Sequence, residues 1–236
     1  MSLLSYLEPG AEFPPTEQAL EDPNGLLAAG GTLDSATLIA AYRRGIFPWY
    51  EAPQPVLWWS PDPRSVLFPG ELRVSRSLLR TLRRGRFSLS VDRAFDAVID
   101  ACAAPRAHQD GTWIGSAMNQ AYRKLHREGI ARSVEVWSDE HLVGGLYGIS
   151  LGGAFFGESM FTRAPDASKI ALVALCHMLQ RAPNAVIDCQ VESEHMNSLG
   201  ARNISRLDFE ERLQQTVDMV VRDDIWRLPE RCGALL

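Results

Sequence analysis

Long hydrophobic runs are missing from these 236 residues: none approaches the roughly 20 apolar residues that cross a bilayer. No membrane partner is expected. The opening stretch, MSLLSYLEPGAEFPP, has neither a basic start nor a long apolar centre, so no secretory signal is expected either. Cysteine is sparse. Cys102, Cys176, Cys189 and Cys232 are scattered, with no CxxC pair and no histidine at zinc-ligand spacing. Reduced thiols in a cytoplasmic protein, with no metal and no cofactor, are the expectation. Positive charge is in deficit, 24 Lys and Arg against 29 Asp and Glu for a net charge of −5. That excludes a surface which coats nucleic acid indiscriminately. Internal repeats and low-complexity tracts are absent. The glycines of VGGLYGISLGG lack a following GK[ST] and make no phosphate loop; they fit strands with bulges or a close neighbouring chain.

What is present is ordinary in bulk, 46% hydrophobic and 22% charged, and long enough for a large domain with a smaller one attached. Residues 1–62 differ in texture. A helix is expected to begin near Asp34 and stop at Gly45, and then IFPWYEAPQPVLWWSPDPR packs five prolines and three tryptophans into one span. We read 1–62 as a small N-terminal domain and 63–236 as the main one. In the latter, helices are expected at 76–84, 93–103, 116–127, 168–180 and 209–221, and strands at 87–91, 132–137, 142–151, 153–159 and 185–191. Hairpin turns at WSDEH and LGG make the middle strands an antiparallel meander. The fold class is α/β (α+β), a mixed sheet with flanking helices.

One stretch runs against the overall acidity. From Leu72 to Arg86 there are six arginines and no acid. On a helix, Arg76, Arg80, Arg83 and Arg84 share an arc of about 100°, with Leu78, Leu79 and Leu82 opposite. Ser75 suits the N-cap and Gly85 the stop. A solvated face is one reading. Phosphate binding is the other, favoured because no acid sits three or four residues away and because arginine grips phosphate bidentately.

In VIDCQVE, strand alternation sends Ile187, Cys189 and Val191 one way and Asp188, Gln190 and Glu192 the other. The polar face either meets water or lines a cleft. Cys189, on the apolar side, is expected to be structural. Glu158, set among aromatics in FFGESMF, is either a core acid paired with an arginine or a site that receives a cation.

Taken together, DPNGLLAAGG, RGIFPWY, WWSPDPR, SRS, GTWI, AYRKLHREG, SVEVW, LVGGLYG, GESMF, ASKIAL and DCQ with SLGA resemble the bacterial leucyl/phenylalanyl-tRNA–protein transferase family, over about residues 13–212. The resemblance implies a C-terminal domain similar to the GCN5-related acetyltransferases. It also implies a reaction: Leu or Phe, less readily Met, passes from aminoacyl-tRNA to proteins with N-terminal Arg or Lys, marking them for degradation. Asp188 and Gln190 would be the catalytic pair. Gln190 would orient the attacking amine, while Asp188 fixes that amide or attracts the cationic acceptor. Leu146, Phe155, Met160, Leu172, Leu175 and Ile187 would line the aminoacyl pocket. Trp49 and Trp113 would flank the terminal adenosine or serve as core residues. Arg76, Arg80, Arg83 and Arg84 would hold the tRNA backbone, and Glu158 a cation. The enzyme is expected to act as a monomer. Two alternatives remain open: a tRNA-binding protein without catalysis, and a small-molecule N-acyltransferase, whose acyl-CoA signature is absent.

Overall fold

The computed structural model describes residues 4–104 and 115–236. The chain first lays down β1 (Ser5–Leu7), β2 (Leu26–Gly30), α1 (Ser35–Arg43), β3 (Phe47–Pro48) and β4 (Leu57–Trp59). These four strands form one sheet in the order β1-β2-β4-β3. Asp34 caps α1, its carboxylate accepting from the Thr37 N–H at 3.0 Å, and Gly45 ends the turn that follows at φ +71°.

A seven-stranded sheet follows, built from β5 (Arg64–Leu67), β6 (Ser88–Val91), β7 (Ala131–Ser138), β8 (His141–Leu151), β9 (Ala154–Thr162), β10 (Val186–Gln190) and β11 (Arg202–Ile204). Its order is β11-β5-β10-β9-β8-β7-β6. β7, β8 and β9 are the expected antiparallel meander, while β10 lies parallel to β9 and antiparallel to β5, so the sheet is mixed. Helices α2 (Arg76–Arg83), α3 (Phe95–Ala103), α4 (Ser116–Arg127), α5 (Ala167–Leu179), α6 (Glu194–Ser198) and α7 (Arg206–Thr216) complete the fold. The protein is a mixed α/β structure.

Alternation along the strands sorts the core into two. Tyr147, Ile149, Phe156 and Val186 face α3, α4, α7 and the four-stranded sheet. Leu146, Phe155 and Ile187 face α5, α2 and the segment after residue 221. Three details depart from the sequence reading. The last helix runs Arg206–Thr216 rather than 209–221, because the Ser205 hydroxyl caps it three residues early, accepting from the Asp208 N–H at 3.0 Å. The short strands β5 and β11 extend the sheet beyond the expected five. The pleat of β10 breaks at its end, which shapes the site.

Candidate active site

β10 pairs with β9 only through Asp188, and its register against β5 shifts between Asp188 and Gln190. At that bulge Gln190 adopts φ +64°, a left-handed conformation uncommon for any residue but glycine. Asp188 holds the distortion. Its Oδ1 accepts the Gln190 backbone N–H at 2.9 Å and Arg64 Nε at 2.8 Å, and its Oδ2 accepts Arg64 Nη2 at 2.6 Å. Both partners are buried, Arg64 completely, with its guanidinium 4.8 Å from the Phe47 ring and 4.7 Å from the Phe209 ring.

This corrects the simple alternation expected for VIDCQVE. Asp188 does not share an open polar face with Gln190; it turns inward onto Arg64, and it holds Gln190 by the backbone rather than by the side-chain amide. Cys189 is not sent away from the polar pair either, since the bulge leaves it lining the same cavity. Burial pushes its thiol pKa well up, so it stays protonated as a wall residue.

The Gln190 amide is oriented by Glu158, whose Oε1 accepts Gln190 Nε2 at 3.2 Å. Glu158 is buried on β9, and its carboxylate also accepts the Tyr42 hydroxyl at 2.7 Å and the Tyr122 hydroxyl at 2.6 Å. Among the described residues no arginine pairs with it; two phenols and an amide occupy its oxygens. Burial raises its pKa to about 7, the neighbouring Asp188 charge adding to the shift and the three hydrogen bonds opposing it.

Two cavities meet at this pair. The first, about 150 Å³, is lined by all six expected pocket residues, Leu146, Phe155, Met160, Leu172, Leu175 and Ile187, together with Met196. Glu158, Asp188 and Gln190 supply its polar wall. Phe155 can lie across β8 only because Gly148 has no side chain; a Cβ there would stand 2.6 Å from the ring. The second cavity, about 170 Å³, lies between Glu158, Gln190 and Val191 on one side and Phe47, Pro48 and Trp49 on the other. Trp49 is 44% exposed there, its ring 5.7 Å from that of Trp59. Trp113 lies outside the described residues.

The arginine stripe forms as a helix, with Leu78 and Leu82 buried beneath it and the Ser75 hydroxyl accepting from the Leu78 N–H at 3.2 Å. Arg76, Arg80 and Arg83 are exposed on α2, and Arg84 is its exposed C-terminal cap. Reading by residue type passed over Arg64, Tyr42 and Tyr122. A lone arginine after Asp-Pro looks like any surface residue, and two tyrosines on helices look like core. The motifs WWSPDPR, which holds Arg64, and AYRKLHREG, which holds Tyr122, were the available signal; Tyr42 lies in neither.

A family model described as leucyl/phenylalanyl-tRNA protein transferase matches residues 66–214, and one for the N-terminal domain of the same transferase matches residues 31–62. The chain belongs to this family. A relative from Pseudomonas putida (strain W619) is 60% identical over 206 residues, covering 87% of this chain and 91% of its own. Another from Ectopseudomonas mendocina (strain ymp) is 53% identical over 223 residues, covering 94% and 99%. Both bear the name leucyl/phenylalanyl-tRNA–protein transferase. Among solved structures, the L-PGS of Bacillus licheniformis is a looser likeness, 13% identical with a TM-score of 0.39, over 79% of this chain and 63% of that one. A GCN5-related N-acetyltransferase-like protein from Streptococcus suis is 14% identical with a TM-score of 0.31, over 72% and 64%. Family membership makes the chain a transferase enzyme, which sets aside the reading of a tRNA-binding protein without catalysis. The first cavity falls within the larger matched segment of the leucyl/phenylalanyl-tRNA–protein transferase family, and the second spans both segments.

Proposed function

We propose that the protein moves Leu or Phe, and less readily Met, from aminoacyl-tRNA to the α-amino group of proteins that begin with Arg or Lys, marking them for degradation. The observation that carries this reading is the apolar cavity ending at the Gln190 amide. A cavity on the order of 150 Å³ lined by Leu, Ile and Phe accommodates a benzene ring, which suits the side chain of Phe or Leu. The substrate ester is already activated, so the enzyme's task is alignment, worth on the order of 7–11 kcal/mol when reacting groups are well placed.

In this scheme the aminoacyl side chain fills the first cavity and the terminal adenosine lies against Trp49, with Trp113 as its second flank. Gln190, its amide nitrogen committed to Glu158, presents its carbonyl oxygen to the incoming amine. Asp188 acts through Arg64 and the backbone, keeping Gln190 in its strained pose. Arg76, Arg80, Arg83 and Arg84 hold the acceptor stem by its phosphates, while the acidic remainder repels the polyanion elsewhere. The enzyme works as a monomer in the cytoplasm.

Incubation with labelled Phe-tRNA and a protein beginning with Arg tests the scheme, with Val-tRNA as control. Phe should transfer. Val should transfer at least tenfold more slowly, the discrimination an apolar pocket achieves over small differences in shape. Equal transfer of both, or of neither, overturns the reading.

A further inference from the structure

Glu158, Tyr42 and Tyr122 form a closed triangle of three groups, joined through four oxygen atoms. Tyr42 Oη lies 2.7 Å from Glu158 Oε1, Tyr122 Oη lies 2.6 Å from Glu158 Oε2, and the two phenol oxygens are 2.7 Å apart. Each edge is a hydrogen-bond distance and needs one proton. The phenols bring two. With Glu158 ionised, both phenols donate to the carboxylate, and the edge between them has two oxygens face to face with no proton. A third proton, on Glu158, closes the circuit: the acid donates to one phenol, that phenol to the other, and the second back to the acid. The ionised triangle therefore has a vacant place for one proton.

Its surroundings suit that role. Tyr147 of β8 is buried nearby, and its hydroxyl makes no hydrogen bond among the described residues. Asp188 of β10 contributes a negative charge, itself paired with Arg64 of β5. Gln190 donates from the remaining side. No basic side chain pairs with Glu158 among the described residues. Glu158 also lines both cavities, so it stands where an aminoacyl ester and an incoming amine would meet.

We propose that Glu158, in circuit with Tyr42 and Tyr122, is the proton acceptor of the transfer. This rests on the aminoacyl-transfer reading above. A neutral amide is a very poor base, which leaves Gln190 to position the amine. The amine nitrogen's lone pair forms the C–N bond at the ester carbonyl carbon, and one proton of that nitrogen passes to Glu158, filling the vacant edge. The C–O bond to the ribose then breaks with its electron pair on the ribose oxygen, which takes the proton back from the circuit. One proton moves from nitrogen to oxygen, and the triangle ends as it began.

Single-turnover transfer of Phe, read against pH at saturating tRNA and subsaturating acceptor, tests this. Two groups must lose a proton before reaction: Glu158, at about 7, and the acceptor amine, at about 7.7–8.0. The rate should rise with pH, and below both values log rate should follow pH with a slope of two. Glu158→Gln, which keeps an oxygen for Gln190 and the phenols, should lose about 10²- to 10⁴-fold in rate and show a slope of one, the amine alone. Its tRNA affinity should be unchanged. A Glu158 that takes no proton would leave wild type itself with a slope of one, or leave the variant with the slope of two because another base acts, and either result overturns the proposal. An infrared titration of the wild-type enzyme gives a reading that needs no variant to fold. A protonated-carboxyl band should vanish as pH passes about 7; a band that does not titrate there overturns the proposal equally. If wild type transfers no Phe at all, the aminoacyl-transfer reading fails, whatever the infrared titration shows of the circuit.

Discussion

Asp188 and Gln190 stand two residues apart, yet different partners hold them and their substitutions should fail in different ways. Asp188→Asn leaves the Arg64 guanidinium buried without its counter-charge. Breaking such a pair from one side costs about 3–5 kcal/mol, so urea unfolding of this variant should show a loss of that size, and its activity should fall together with its stability. Gln190→Ala removes a half-buried amide that, among the described residues, is bonded through Nε2 alone. It should unfold near the wild-type midpoint while losing on the order of 10²-fold in kcat, with tRNA affinity intact. The apolar wall was legible only through the resemblance, which gave Leu146, Phe155, Leu172 and Ile187 by motif position; their residue types announce burial and no more. The polar part was legible only as residue identities. Strand alternation places Asp188 and Gln190 together on an open face, and a bulge with one positive φ undoes it. Nothing in DCQ marks that bulge, since its cause is Arg64, brought alongside from more than a hundred residues earlier.

At the level of elements, α2 shows how a helix can be decided almost entirely by its own residues. Ser75 opens it, Gly85 closes it at φ +61°, and leucines on one side dock it, leaving the arginines outside. No ion pair engages Arg76, Arg80, Arg83 or Arg84 among the described residues, so neutralising them should leave the fold undisturbed. Arg80→Ala with Arg83→Ala should weaken binding of Leu-tRNA and Phe-tRNA equally. The salt dependence of log Kd should drop by roughly two, about one for each phosphate contact removed. Transfer at saturating tRNA should be unchanged. The β7-β8-β9 meander was legible for a similar reason, since its turns are carried by local residues. β5 and β11 were not: four and three residues are too few to show a period, and each exists because a longer neighbour supplies its hydrogen bonds.

The whole molecule is tied together by contacts across the sequence. The candidate site draws Tyr42 and Trp49 from the first sheet's region and Glu158 and Gln190 from the second sheet. The segment after residue 221 does comparable work at the other end. β6 is an edge strand, and its outer side is met by later residues: the Leu89 N–H donates to the Glu230 carbonyl at 2.9 Å, the Cys232 N–H donates to the Phe87 carbonyl at 3.0 Å, and Arg231 bridges Ser88. Cys232 and Leu235 are buried in the core that carries Leu78 and Leu82 of α2. Leu235→Ala should therefore cost about 2–5 kcal/mol and speed amide hydrogen exchange in α2 and β6 more than in β8 or β9. Equal exchange throughout would mean that this segment does not brace the arginine helix.

That bracing carries a consequence for the order of synthesis. The ribosome releases α2 and β6 early, but the residues that cover the β6 edge and complete the seat of α2 emerge only after the rest of the sheet has been made. Until then the edge offers unpaired backbone groups to any passing strand. A growing chain, or one cut short before residue 230, therefore carries its arginines on an unbraced helix beside an exposed edge, and the surface that would grip tRNA becomes rigid only when translation has passed it by a long way.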